Sequence, residues 1–336
     1  MRRHITPVRL AAAGLVLIAL LVGIALLAPS DSYLFLPNRA KAVAPLLTIE
    51  GVKRATRDDG EIFFVDVLVR RATIFERLFP GFYDGASLVS EDAINPTGIS
   101  DTARRRSSLR EMDRSQEIAA AVALREAGYD VEANPAGALV EAVLPGTPAA
   151  KALQPSDVIV QANSRPVRTP GDLRRALESV EPGDEVTIAY NRGDDRRSAR
   201  LETVASRQDP EQAAIGVFVS QEADIELPLN VKIDTEGIGG PSAGLPFALE
   251  ILEKLGRDVD KGLDVAATGE IELDGTVAPV GGLKQKTIGA KKAGVDVFLV
   301  PAGDNAAEAR RHADGMRIVP VRNFQQALRS LATVAN

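Results

Sequence analysis

The sequence predicts a mixed α/β (α+β) protein with more than one domain, and three observations support this prediction. The chain has 336 residues, which is more than a single hydrophobic core usually organises. Residues 137–206 consist of short β-rich runs separated by turn dipeptides, whereas residues 242–301 alternate between helical and strand patterns. Apolar residues make up 45% of the chain and charged residues 26%, which is typical of folded globular bodies.

Composition excludes several classes of site and partner. The chain has 46 acidic and 40 basic residues and a net charge of −6, and it lacks the basic run that nucleic-acid binding requires. Cysteine is absent and histidine occurs only at His4 and His312, so we expect no disulfide, no metal and no cofactor. A hydrolase of this composition would use Ser or Thr as nucleophile with Lys or a carboxylate as base, and a Ser-His-Asp triad would have to use His312.

The first predicted element is an apolar helix at residues 10–28. This uncharged run of 19 residues would be about 28 Å long as a helix, close to the thickness of a bilayer core. A cleaved secretory signal is the alternative, but its apolar region is usually shorter. We therefore predict an uncleaved single-pass anchor within residues 1–33. The excess of arginine before the run predicts a cytoplasmic amino terminus and an extracytoplasmic catalytic part.

The next elements are strands. Residues 46–49 and 62–69 are β-rich, and the Asp59-Gly60 dipeptide between them is typical of a hairpin turn. Residues 88–113 are polar and are predicted to form a loop or an extended surface segment, with the three arginines at 104–106 solvated.

A helix is predicted over residues 115–128. Ser115 would be its N-cap, Ile118 and Val122 would belong to its apolar face, and Gly128 stands at the C-cap.

Strand patterns at 138–143, 158–162, 186–190 and 199–204 alternate with turns, with short helices near 149–153 and 170–179. Three ordered phrases occur here, and they are Val-Leu-Pro-Gly-Thr-Pro-Ala, Leu-Gln-Pro-Ser-Asp-Val-Ile and Ala-Asn-Ser-Arg-Pro-Val. The segment thereby resembles a PDZ domain, which we place at residues 129–206.

The PDZ resemblance implies that an extended peptide adds to a sheet edge, with its C-terminus bound by a carboxylate-binding loop. Residues 134–137 are a loose version of that loop, and Ser156 stands where the family more often has Gly. The alternative is a structural β domain that binds no ligand.

A glycine-rich turn at residues 237–240 leads into Ser242 and a helix that ends near Leu255. Apolar residues cover most of this helix, so it should be buried. Free N–H groups at its amino end would favour a developing negative charge beside Ser242, and glycines would let a substrate approach the backbone. The alternative role for Ser242 is a simple N-cap.

The following segment is predicted to form a hairpin that turns at Asp274-Gly275, a helix over 283–293 and a strand over 297–301. Four landmarks occur in order, and they are Pro-Ser-Ala-Gly, Thr-Gly-Glu, Pro-Val-Gly-Gly-Leu-Lys-Gln-Lys and a strand that ends in Pro. This order resembles the Lon-type protease domain.

The Lon resemblance implies that Ser242 is the nucleophile and that a lysine of the 283–293 helix is its base. Lys284 and Lys286 are both candidates, and the family's catalytic lysine aligns with Lys286. Burial would have to lower the pKa of that amine toward ~7–8 so that it can accept a proton. Thr268 aligns with a family threonine that would orient the amine, and a plain strand threonine is the alternative.

The N–H groups of Gly239, Gly240 and Ser242 are the predicted oxyanion donors. Gly239 stands where the family often has an acidic residue, three positions before the serine.

Residues 207–336 are short for a whole Lon-type domain, and residues 34–128 resemble that domain's opening strands and first helix. We therefore predict that the PDZ domain is inserted into a discontinuous protease domain formed by these two segments.

The sequence contains no phosphate-binding loop of the Gly-x4-Gly-Lys-Ser/Thr type. We therefore predict an ATP-independent serine endopeptidase that cleaves flexible or unfolded polypeptides, either extracytoplasmic or membrane-associated, with the PDZ domain binding substrate termini or gating access. A non-catalytic PDZ scaffold on an inactive protease fold and a protein that cleaves only itself are the alternatives. The Lon resemblance also implies that the chain could assemble into a homo-oligomeric ring.

Overall fold

The computed structural model describes residues 7–52, 60–94, 101–206 and 209–334. The helices of these residues are α1 (Pro7–Leu27), α2 (Ile74–Leu78), α3 (Glu91–Ile94), α4 (Asp101–Glu126), α5 (Pro170–Leu177), α6 (Gly244–Lys254), α7 (Leu283–Ala293), α8 (Asp304–His312) and α9 (Phe324–Val334). The strands of the first half are β1 (Pro29–Pro37), β2 (Lys41–Ala42), β3 (Leu47–Ile49), β4 (Glu61–Phe64), β5 (Val67–Thr73), β6 (Ser87–Ser90), β7 (Glu132–Val143), β8 (Val158–Ala162) and β9 (Arg165–Pro166). The remaining strands are β10 (Glu185–Arg192), β11 (Asp195–Glu202), β12 (Val204–Ala205), β13 (Ala213–Ala214), β14 (Val217–Glu226), β15 (Val231–Ile233), β16 (Asp264–Ala267), β17 (Glu270–Ile271), β18 (Val277–Ala278), β19 (Val297–Pro301) and β20 (Arg317–Val321). Single turns of 3-10 helix occupy Pro80–Phe82, Pro148–Lys151 and Pro241–Ala243.

A sheet in the order β2-β4-β16-β19-β20 forms the centre of the part that carries Ser242. Its last four strands are parallel, and β2 pairs antiparallel with β4. Alternate residues face opposite sides, so Val265 and Ala267 pack with α4 and α6 while Ala266 packs with α7 and α8. Both faces are therefore covered, as parallel strands require.

The segments before and after the PDZ region share one core. Strand β4 pairs with β16, and α4 packs against α6. Residues 34–128 thus contribute two elements to the layer that carries Ser242. These contacts support a protease domain that is discontinuous in sequence. The boundaries of that domain stay a prediction.

The prediction of a loop or extended surface segment over residues 88–113 is wrong for its described part, because β6, α3 and the first half of α4 lie there. Residues 95–100 of this range lie outside the described residues. Helix α4 begins at Asp101, so Ser115 lies in its middle and is not an N-cap. Met112, Ser115 and Ala119 are buried at a spacing of three to four residues, which is the period of a helix. The many charged residues on the other faces concealed this short apolar stripe. Arg104 is also not simply solvated, since its guanidinium lies 4.5 Å from the centre of the Tyr33 ring.

The predicted hairpin between residues 46–49 and 62–69 is also wrong. Strand β3 pairs with β15, and β4 pairs with β2 and β16. Asp59 lies outside the described residues. The run at 62–69 is divided between β4 and β5, which belong to different sheets.

The PDZ region has its own sheet, in the order β11-β10-β8-β7-β14, with β9 beside β8. Its separate core includes Ile159, Leu173 and Ile188. The strand patterns predicted here are confirmed, and β8 has the predicted ends. The prediction of a carboxylate-binding loop at residues 134–137 is wrong, since these residues belong to β7 and pair with β14.

Residues of the predicted anchor form most of α1. In the part of the chain that the structure describes, no helix reaches the combined length and apolar character that crossing a bilayer requires. The predicted transmembrane span at residues 10–28 is therefore unsupported, although a helix forms there.

Local sequence signals fixed the elements around the site more accurately. Helix α7 and strand β19 have the predicted ends, and Gly294 caps α7 in the left-handed conformation with φ +85°. The predicted hairpin at Asp274-Gly275 is confirmed as β17 paired with β18. The preceding β16 belongs to the central sheet.

Candidate active site

Ser242 lies at the junction of the glycine-rich turn and the buried helix α6. Gly240 has φ +94°, which side chains other than glycine rarely adopt, and Ser242 follows in a single 3-10 turn. The carbonyl of Ser242 accepts hydrogen bonds from the Gly269 N–H at 2.9 Å and the Thr268 hydroxyl at 3.1 Å. The backbone of the serine is therefore tied to the segment between β16 and β17.

Lys286 reaches Ser242 from the first turns of α7. Its Nζ lies 2.6 Å from Ser242 Oγ and 2.9 Å from Thr268 Oγ1. The residue is only 3% exposed and Thr268 is fully buried. Lys284, the other candidate base, instead donates to the carbonyl of Ala86 at 3.0 Å. Of the two lysines, only Lys286 is therefore within hydrogen-bond distance of the serine.

Burial has a strong effect on the Lys286 amine. It lowers the pKa of Lys286 from 10.5 to about 7, and the nearby carboxylate of Asp66 opposes this change only partly. The Asn38 amide donates to both oxygens of Asp66, at 3.1 and 3.0 Å, which holds that carboxylate in place. A substantial fraction of Lys286 is therefore neutral near pH 7 and can accept a proton.

Helix α4 holds the glycine-rich turn from outside. The Gly240 N–H donates to the Ser108 carbonyl at 2.7 Å, and the Ser115 hydroxyl donates to the Pro241 carbonyl at 2.9 Å. The prediction of Gly240 as an oxyanion donor is therefore wrong, since its N–H already has an acceptor. Gly239 and Ser242 stay predicted donors.

The structure also explains why glycine replaces the acidic residue that the family often has at position 239. A Cβ on Gly239 would lie 2.6 Å from Ser108 Oγ and 3.0 Å from the Ser108 carbonyl carbon. Any side chain would displace α4. The close approach of this helix is thus linked to the departure from the family pattern.

A cleft of about 620 Å³ opens in front of Ser242 and Lys286. One wall is β5, and others include the glycine-rich turn, Arg105 and Glu270. Burial, together with the charge of Glu272, raises the pKa of Glu270 to about 7. Sequence reasoning missed Asp66, Ser108 and Glu270 as cleft residues. Glu270 could have been found, because it directly follows the Thr-Gly pair.

Possible cation ligands lie elsewhere. Among the described residues, the carboxylates of Glu253, Asp258 and Asp260 approach each other within 4.8 Å. The Glu253 carboxylate accepts the N–H groups of Val259 and Asp260, which accounts for its position. This cluster does not line the cleft.

Comparisons with known proteins agree with this architecture. The Lon protease (S16) C-terminal proteolytic domain matches residues 198–333, and the PDZ domain matches residues 122–203. Lon protease 1 of Myxococcus xanthus is 40% identical over 172 residues, which cover 47% of this chain and 20% of that protein. Lon protease 1 of Sorangium cellulosum is 34% identical over 139 residues, covering 41% and 17%. The chain thus spans about a fifth of the length of these relatives.

Two solved structures are similar to about a quarter of this chain. The PDZ domain of an SdrC-like protein from Listeria monocytogenes is 24% identical and covers 25% of this chain and 86% of its own, with a TM-score of 0.23. A solution structure from Geobacillus thermodenitrificans is 28% identical and covers 24% and 94%, also with a TM-score of 0.23. From the family matches, the chain contains a Lon-type C-terminal proteolytic domain, whose homologues include Lon proteases, together with a PDZ domain.

Proposed function

We propose that the chain is a serine endopeptidase that works without ATP and uses a dyad of Ser242 and Lys286. The observation that carries this proposal is the 2.6 Å distance between Ser242 Oγ and a buried lysine amine. Nucleophile and base must be within hydrogen-bond reach of each other, and the base must be neutral at the working pH. The lowered pKa of Lys286 meets the second requirement.

The mechanism begins with proton transfer. The neutral amine of Lys286 takes the hydroxyl proton while Ser242 Oγ forms a bond to the scissile carbonyl carbon. The resulting ammonium then gives this proton to the leaving amine as the C–N bond breaks. Water, deprotonated by the same amine, then attacks the ester carbonyl carbon. The acyl C–O bond breaks, the Lys286 ammonium returns the proton to Ser242 Oγ, and the carboxylic acid product leaves.

The surrounding groups have separate roles in this proposal. Thr268 is a positioning residue, because its hydroxyl contacts the Lys286 amine and also donates to the Ser242 carbonyl. The N–H groups of Gly239 and Ser242 would stabilise the oxyanion, beside the amino end of α6.

The proposed substrates are flexible or unfolded polypeptides. The sequence has no phosphate-binding loop, so we propose that its substrates are not unfolded by an ATPase in these residues. The cleft has an extended wall formed by β5, which pairs only with β1 within its sheet. An extended chain fits such a cleft better than a folded surface does.

Cleavage of an unfolded protein without ATP tests this proposal. We expect the full chain to cleave the substrate, and Ser242→Ala to lose cleavage because it removes the hydroxyl that the Lys286 amine contacts at 2.6 Å. A phosphonofluoridate should add its mass to the wild type but not to Ser242→Ala. The control is Ser198→Ala, which changes an exposed serine of β11 and should keep full activity.

Other outcomes would contradict the proposal in distinguishable ways. If cleavage required ATP, the proposal that the enzyme works without ATP would be contradicted, while the peptidase activity would stand. Fragments of the chain itself with an intact substrate would indicate a self-processing protein. Absence of both cleavage and labelling would indicate a non-catalytic PDZ scaffold.

We propose further that the PDZ domain presents substrate termini or gates the cleft. A salt bridge supports a coupling between the two parts. Arg174 on α5 donates to the Glu272 carboxylate at 2.7 Å, and Glu272 is 2% exposed. Glu272 lies two residues after Glu270, which lines the cleft. A movement of α5 would therefore act on the strand beside the catalytic groups.

Replacing Arg174 by methionine should destabilise the folded protein by about 2–3 kcal/mol, because a buried carboxylate would lose its partner while half of the arginine is already solvated. It should also change kcat/KM for the unfolded substrate. Thermal unfolding and steady-state kinetics at pH 7 measure the two effects. Arg175→Met is the control, since Arg175 pairs with Asp172 on its own helix. Equal behaviour of the two variants would contradict the coupling.

The location is a separate proposal. We propose that α1 attaches the chain to a membrane, with the catalytic part outside the cytoplasm. The support is the exposure of apolar side chains along α1, which reaches 69% at Leu15 and 84% at Leu27. A homo-oligomeric ring is a further proposal that rests on the Lon resemblance.

A further inference from the structure

A second exposed apolar surface lies beside the end of α1. Helix α2 and the 3-10 turn after it form an aromatic ledge, defined here as residues 74–83. Leu78, Phe79 and Phe82 on this ledge are 66%, 57% and 69% exposed, and Tyr83 is 38% exposed. Adjacent exposed side chains of this size indicate an interaction surface.

The ledge is held rigidly. Thr73 and Glu76 form a capping box at the start of α2, and both Glu76 oxygens accept from Arg70 at 2.8 and 2.6 Å. The bond from Arg70 lowers the pKa of Glu76 to about 2. The Phe75 ring packs against Phe79 at 5.0 Å and edge-on against Phe82 at 5.8 Å between ring centres. The aromatic side chains are therefore fixed in the exposed position.

The ledge is continuous with α1. The Ile74 N–H donates to the carbonyl of Ala28 at 3.0 Å, and α1 contacts both α2 and β5. Residues 15–18 of α1 are consecutive and all exposed, between 59% and 69%. Consecutive positions are about 100° apart around a helix, so α1 is apolar on every side.

This distribution identifies the occupant of the surface. A protein partner or a second copy would cover one face of α1 and leave the others exposed, whereas lipid can contact apolar side chains on any of its faces. Aromatic side chains such as those of Phe79, Phe82 and Tyr83 are favoured at the boundary between acyl chains and water. The continuous surface formed by α1 and the ledge therefore matches lipid better than protein.

We infer that the aromatic ledge inserts into the membrane surface next to α1 and holds the cleft beside the lipid. This inference rests on the proposed membrane attachment and deepens it. Strand β5 lines the cleft at Val67–Val69 and leads directly into the ledge at Ile74. Five residues of strand span about 17 Å. The substrate class is thus polypeptide segments that lie close to a membrane surface.

The absence of tryptophan from the chain permits a direct test. The full chain with Phe79→Trp is reconstituted in vesicles of phosphatidylcholine and phosphatidylglycerol, with and without brominated phosphatidylcholine. We expect its emission to shift to shorter wavelength and to be quenched by the brominated lipid. Phe218→Trp is the matched control, because Phe218 is 47% exposed on the PDZ strand β14 and should show neither effect.

A third reporter separates the ledge from the attachment itself. Leu26→Trp on α1 should be quenched if the chain attaches to lipid at all. Quenching at position 26 but not at 79 would contradict insertion of the ledge and leave the attachment of α1 to the membrane intact. No quenching at either position would contradict both claims. A wavelength shift at position 79 that depends on protein concentration and not on lipid assigns the ledge to a second copy, which also overturns the inference.

A kinetic comparison tests the consequence for substrates. Leu78→Ser with Phe79→Ser should slow cleavage of a peptide tethered to the vesicle by a short spacer several-fold, with cleavage of a free unfolded protein unchanged. If this double variant and the wild type cleave the tethered peptide at equal rates, the ledge does not insert into the membrane surface. If the wild type cleaved neither the tethered peptide nor the free unfolded protein, the proposed peptidase activity would instead be contradicted.

Discussion

Replacing Lys286 by methionine should abolish peptide cleavage and at the same time stabilise the fold. The variant removes the amine that contacts Ser242 Oγ, and general acid–base catalysis typically contributes about 10²–10⁴-fold in rate. Methionine fills a similar volume without a buried charge. Steady-state cleavage and thermal unfolding at pH 7 measure the two effects.

The pH dependence follows from the same group. Because the pKa of Lys286 is lowered to about 7, cleavage should rise as the pH increases through about 7 and the amine becomes neutral. At pH 7 and below, the buried charge costs folding roughly 4–5 kcal/mol, and the cost disappears as the pH rises toward 10.5, where the unfolded lysine also loses its proton. The stability advantage of Lys286→Met should therefore shrink over this range.

The control is Lys284→Met, whose amine donates to Ala86 and not to Ser242. It should keep cleavage and the same pH midpoint. A wild-type midpoint near pH 10, or cleavage retained by Lys286→Met, would contradict the assigned base.

The second large effect is expected at Gly289 on α7. A Cβ there would lie 2.0 Å from the carbonyl oxygen of Asn38 and 2.9 Å from a methyl group of Val65. Alanine normally favours a helix by about 1 kcal/mol over glycine, but this backbone contact forces α7 away from the segment before β2. We expect Gly289→Ala to destabilise the protein by about 3 kcal/mol net.

Gly289→Ala should also reduce cleavage, because Lys286 lies one helical turn earlier on α7. Chemical unfolding and cleavage rates check both effects. Gly81→Ala is the matched control, since a Cβ at Gly81 meets nothing within 4 Å and should change neither. A stabilised Gly289→Ala would show that the contact is easily relieved.

Local signals were sufficient for the elements around the site. Helix α7 lies between Gly282 and Gly294, both in the left-handed conformation, and such caps can be read from sequence. Helix α4 was missed in its first half because its buried stripe is narrow and its other faces are charged. The predicted hairpin at residues 59–60 is wrong for another reason. Strand β3 pairs with β15 and β4 pairs with β16, both more than a hundred residues away, while the nearby partner of β4 is β2 and not β3.

Local sequence patterns alone did not predict the candidate site. The pairing of Ser242 with Lys286, which are 44 positions apart, came from a family resemblance and not from periodicity. The structure brings the two groups together, while their catalytic roles stay a proposal. The acceptor for the Gly240 N–H could not be predicted, because Ser108 is remote in sequence and lies in a segment predicted as a loop. Long-range backbone contacts of this kind leave no local pattern.

The course of α4 has a mechanical consequence. Its 26 residues form a rod of about 39 Å. Ser108 and Ser115 on this rod hold the turn before the nucleophile, and the chain continues from its far end into β7. The rod therefore connects the turn before Ser242 to the first strand of the PDZ sheet. If a bound peptide tilted the PDZ sheet, α4 would displace the glycine-rich turn before Ser242. The peptide itself would need no contact with Ser242 or Lys286.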